Sequence, residues 1–119
     1  MTDNLQEQLA HQFSHLEMAS TTQTLHVACQ VWHDIHNAGN DLATIREIGA
    51  TLDTEHPVFS RLAVEISKAD VLTARHWASS TVVGMAEVLM EVCLKVQAVV
   101  LGDADTINAI VKQHLEQNG

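Results

Sequence analysis

The segment Val82–Leu101, VVGMAEVLMEVCLKVQAVVL, holds no proline and only three charges in twenty residues. Those charges, Glu87, Glu91 and Lys95, fall four apart. At 100° per residue they share one narrow stripe with Ser80, Gly84 and Ala98. The rest of the circumference is almost wholly apolar. A surface helix shows a narrower apolar face, so this spacing predicts a helix enclosed by neighbours on most sides. Its length would suit a membrane span. Two glutamates and a lysine at mid-helix, however, would each cost about 2.5–3.5 kcal/mol on insertion. The expectation is a buried helix of a water-soluble protein.

The rest of the composition agrees with helix packed on helix. At 119 residues, 46% of them hydrophobic, the chain is long enough for one domain with a real core. One proline and five glycines are too few for the many tight turns of an all-β fold. Aromatic residues are limited to Phe13, Trp32, Phe59 and Trp77, so the core falls to aliphatic side chains. Net charge is −9, and the six bases are scattered. Nucleic-acid binding and attachment to an anionic membrane both want clustered positive charge, and neither class fits. Cys29 and Cys93 form no disulfide framework. Each lies in an apolar helical pattern, where a buried, inert thiol in a reducing, cytoplasmic compartment is the expectation. The polar, acidic start MTDNLQEQLAHQ does not read as a signal peptide.

Taken in order, a first helix is expected from about Asp3 to Ala19, with Leu5, Leu9, Phe13 and Leu16 as its apolar row. Ser20-Thr21-Thr22 reads as an interruption, since these residues favour caps. A second helix spans about Gln23 to Ala38 and stops at Gly39. A third starts at Asn40 or Asp41. Pro57 opens a fourth, whose end, near Lys68 or beyond Asp70, the pattern leaves open. The 82–101 helix stops at Gly102, and a last one starts at Asp103 or Asp105. Asp41–Ile48 and Asp103–Ile110 share the pattern D-x-x-T-I-x-x-I, which reads either as a duplicated half or as an Asp cap following a Gly stop. The sum is an all-α, antiparallel bundle of five or six helices around the 82–101 segment, in a single domain of residues 1–119.

Histidine is over-represented, with eight residues. His26, Cys29, His33 and His36 share one face of the second helix. Imidazole and thiolate ligate zinc and other transition metals, and ligands at i, i+3 or i+4 can share an ion. All four together extend roughly 15 Å along the helix, too far for a single ion. The remaining ligands would have to come from elsewhere, with His11 and His15 as candidates. A half-wet helix flank accounts for the same residues without any metal, and so does a response to pH. Glu87 and Glu91 lack the Glu-x-x-His partners of a di-iron bundle. Cys29 with His33 is the one local thiol–imidazole pair, with no oxyanion donor or orienting group beside it. Met85 and Met90 read as core filling.

No motif reaches the specificity needed to name a family. The expected function is a non-enzymatic, acidic, helical protein–protein interaction module, homodimeric or bound to another protein, without cofactor. The alternative is a metal-binding or metal-sensing bundle using the His/Cys face. Interface candidates are Trp32 and Trp77, because Trp is enriched at hot spots. Ser80 and Gly84 join them as a small-x-x-x-small pair that would let another backbone approach.

Overall fold

The computed structural model describes residues 2–118. It holds five helices: α1 (Thr2–Asn37), α2 (Leu42–Ala50), α3 (Pro57–Lys68), α4 (Val71–Val100) and α5 (Ala104–Asn118). No strand occurs among the described residues, so the protein is all-α. Contacts divide the chain into two compact units, Thr24–Ala86 and Met1–Gln23 with Glu87–Gly119. Helices α1 and α4 each contribute to both.

The expected break at 20–22 is absent, and a second hydroxyl cluster is also helical. Ser20-Thr21-Thr22 lies inside α1, and Ser79-Ser80-Thr81 lies inside α4. A hydroxyl disrupts a helix when it competes for backbone groups, and here it is satisfied within the helix instead. Thr22 Oγ1 donates to the Met18 carbonyl at 2.7 Å, and Thr81 Oγ1 to the Trp77 carbonyl at 2.8 Å. Ser79 Oγ accepts from Trp32 Nε1 at 2.9 Å. The expected first and second helices are therefore one.

A single capping device fixes where the other helices begin. Asp41 accepts from the Thr44 amide and from its hydroxyl, opening α2. Asp70 accepts from the Thr73 amide at 2.8 Å, ahead of α4. Asp103 accepts from the Thr106 hydroxyl at 2.6 Å, ahead of α5. Each is Asp followed three residues later by Thr, and at Asp41 and Asp70 the side chain meets an amide the helix leaves orphaned. The third copy, D-V-L-T at 70–73, settles the boundary that periodicity left open. Helix α3 ends at Lys68, Ala69 is extended, and α4 then runs unbroken for 30 residues. Gly102 adopts φ +77° and closes α4. The Asp103 amide donates to the Ala98 carbonyl and the Gly102 amide to the Val99 carbonyl, both at 3.0 Å, which is the paired bond pattern of a Schellman stop.

In the Thr24–Ala86 unit, segments of α1 and α4 and all of α2 and α3 bury one cluster. It includes Val31, Ile35, Ile45, Phe59, Leu62 and Ile66. Ala74 and Ala78 are the fully buried α4 members of the cluster, with Val71, Trp77 and Val82 packed against it. Helix α2 approaches α3 at Gly49, where an added Cβ would lie 2.7 Å from Ile66 Cγ2 and 3.1 Å from Ile66 Cβ. His56 caps α3: its Nδ1 accepts from the Val58 amide at 3.3 Å. The proton is then on Nε2, which lies 3.4 Å from Thr24 Oγ1.

The other unit buries Ala10, Val92 and Val99 with Ile107, Ile110 and Val111. Phe13 stacks on His114 at 4.4 Å, and Lys95 Nζ lies 3.5 Å from Glu17 Oε1. The expected row on α1 is displaced here: Ala10 and Ser14 are buried, while Leu5 and Leu16 are exposed. Val82–Leu101 is helical to Val100 as expected, but its expected enclosure needs correction. Val92 and Val99 are 1% and 0% exposed, whereas Met90, Leu94 and Leu101 are 67%, 60% and 77% exposed. Within this unit residues of α1 and α5 pack with Val99 of α4 in one buried cluster.

Two outcomes are expected. Gly49→Ala should destabilise the fold by about 1–3 kcal/mol, because the branched Ile66 has no room to retreat; chemical denaturation with an unchanged slope will read it. Asp41 is held below its ordinary 3.8 by hydrogen bonds from the Thr44 side chain and then its backbone, and Asp70 by those from the Thr73 backbone and then its side chain. A carboxyl depressed on folding stabilises above its unfolded value and ceases to do so as pH falls through the folded one. Melting temperature should therefore fall on acidification below pH 3.8, and less steeply in Asp41→Asn and Asp70→Asn.

Candidate functional site

The feature that asks for an explanation is the outer line of α4. Counting 100° per residue from buried Val92, Met90 and Leu94 lie roughly opposite it, and Leu101 falls on the same line. All three are exposed. Exposed Gln97 borders the line on one side, with Cys93 and Val100 beyond it, and exposed Glu87 borders it directly beside Leu94 on the other, with Glu91 beyond. The helix is thus apolar on two opposite sides. On one side Val92 and Val99 are buried, although Val88 one turn before Val92 is 42% exposed, and on the other side Met90 and Leu94 meet water. Further back on α4, in the other unit, Val83 and Leu72 are also exposed.

The sequence candidates sit elsewhere. Trp32 is partly exposed, but its indole N–H is committed to Ser79 and its ring tilts against His36 at 4.4 Å. Trp77 is half-buried against the main cluster, with the Arg61 guanidinium carbon 5.6 Å from its ring centre. Both tryptophans therefore serve the Thr24–Ala86 unit. Ser80 and Gly84 are exposed, and an added Cβ at Gly84 meets nothing within 4 Å.

His26, Cys29 and His33 line an open groove along α1 together with Gln30 and Asp34. The groove is one helix flank rather than a cage. Among the described residues, no group of three or more His, Cys, Asp or Glu side chains is placed to hold an ion. The chemistry of the imidazoles explains part of this. His33 Nε2 accepts from Asn37 Nδ2 at 3.0 Å, which occupies its lone pair. His36 Nδ1 donates to the Trp32 carbonyl at 3.0 Å. His11 and His15 stack on one another at 6.2 Å in the other unit. Both cysteines are free and exposed, which corrects the expectation of buried thiols. Met90, expected to fill the core, is likewise outside.

Sequence reasoning missed the outer line because an apolar residue carries no label for which neighbour covers it. A signal was present: apolar residues occur all round α4 in a chain with few other helices to enclose it. Among the described residues, no helix is long and apolar enough to cross a membrane, so a bilayer spanned by α4 does not account for the exposed face. Set against protein-family models, curated proteins and solved structures, the chain matches none.

Gly84 lies in open space within a helix, where glycine costs about 1 kcal/mol relative to alanine. Gly84→Ala should therefore raise stability by up to about that amount with no effect on association. Weakened association in this variant would instead put another backbone on the Ser80–Gly84 seam.

Proposed function

We propose that this protein is a non-enzymatic, acidic, helical protein–protein interaction module that works as a homodimer. The observation that carries the reading is that α4 leaves Val88, Met90, Leu94 and Val100 exposed within about three turns. Contiguous exposed apolar surface on a protein in water marks a place for another macromolecule. A net charge of −9 favours solubility of the chain as a whole. Two free, exposed thiols suit a reducing setting such as the cytoplasm.

Sedimentation of tag-free protein across the micromolar range tests the reading. A species of about twice the 13.0 kDa chain mass is expected, dissociating on dilution. A chain that stays monomeric throughout that range would remove the homodimer.

A further inference from the structure

We infer that the terminal unit, Met1–Gln23 with Glu87–Gly119, opens as one step while the central unit, Thr24–Ala86, stays folded. The reverse does not hold: once the central unit unfolds, the terminal unit unfolds with it. The fold thus carries a conformational device, an end that lets go without loss of the middle.

Burial separates the two units. The central cluster is built on large side chains, among them Ile35, Ile45, Phe59, Leu62 and Ile66. Among the described residues, the buried terminal cluster is Ala10, Val99, Ile107, Ile110 and Val111, with no leucine or phenylalanine fully inside it. Ser14, 0% exposed, puts a polar group in a buried position of the same unit. Leu5, Leu16, Met90, Leu94, Leu101 and Leu115 all belong to the terminal unit and are 58–77% exposed. Stability follows the apolar area removed from water, so the terminal unit is held by the smaller free energy.

Connectivity sets the order of events. The central unit is one uninterrupted segment, whereas the terminal unit joins two pieces with those 63 residues between them. With the middle unfolded, the two pieces would have to close a loop of that length from a much weaker cluster. Nor do its helices stand alone. Helix α5 has 15 residues, and helices below roughly 12–15 residues are marginal in water even for favourable sequences. Opening therefore releases α5 and frays α1 and α4 back to the edge of the central unit.

Native-state hydrogen exchange of the 119-residue chain, read by NMR in dilute solution with denaturant kept below the unfolding transition, tests this. The amides of Val99, Ile110 and Val111 should share one opening and exchange at least about tenfold faster than those of Ile35, Leu62 and Ile66. Two variants, Ile66→Val and Ile110→Val, each remove one buried methylene, a change mild enough to keep the chain folded. Ile66→Val should speed exchange of the central amides about two- to tenfold and leave the terminal amides unchanged, because Ile66 remains packed in the partly open state. Ile110→Val should speed both sets by the same factor, because central amides exchange only when both clusters are lost. Both variants speeding both sets would make the fold a single cooperative unit and overturn the inference. Terminal amides that outlast the central ones would overturn the order of opening. An effect of Ile110→Val confined to the terminal amides would show the central unit unfolding by itself and overturn the dependence.

Discussion

A helix that is greasy on both sides needs two sets of neighbours, and most of this molecule follows from how α4 finds the first set. Val99 is buried with Ala10 of α1 and with Ile107, Ile110 and Val111 of α5. Nearer its start, Ala74 and Ala78 let the helices of the other unit come close, and Ile35, Leu62 and Ile66 fill the space. The demand is met unevenly. Met90 and Leu94 of α4 are left 67% and 60% exposed. Removing them from water is worth about 25 cal/mol per Å² of apolar surface, the same physics that built the core.

Long helices are the second element of the design, and they depend on where hydroxyl groups send their protons. Serine and threonine clusters at 20–22 and 79–81 carry the local signature of a helix end. They remain helical because Thr22 and Thr81 return their hydroxyls to the preceding turn, and Ser79 serves the Trp32 indole. Where a helix does end, glycine in the left-handed region or an extended residue comes first, and an aspartate with a threonine three places on restarts the chain. Asp41, Asp70 and Asp103 each accept a hydrogen bond from the threonine three places on, as the Asp-cap reading of the pattern shared by 41–48 and 103–110 expects.

The histidines illustrate how tertiary structure reassigns residues that look like one site. Eight imidazoles suggest a common purpose, yet each one with a resolved partner has a local one. His56 caps α3, His114 stacks on Phe13, His36 packs on Trp32, and His33 takes a hydrogen bond from Asn37. The spacing of His26, Cys29, His33 and His36 was plain in the sequence. Ligation needs convergence from more than one direction, and a single helix flank does not provide it.

What the sequence determined by itself was the class and the punctuation: helices throughout, stops at Gly39 and Gly102, starts at Asp41 and Pro57, and an apolar segment at 82–101. These are local properties, set by side-chain spacing and by which residues tolerate a positive φ or satisfy an orphaned amide. Only the tertiary structure decided that α1 and α4 run unbroken, that Gly49 is a contact point, and that Met90 and Leu94 face outward. A hydroxyl's hydrogen-bond partner, the room beside a Cβ and the side of a helix that gains a neighbour all depend on atoms distant in sequence. Spacing along one segment carries no record of them.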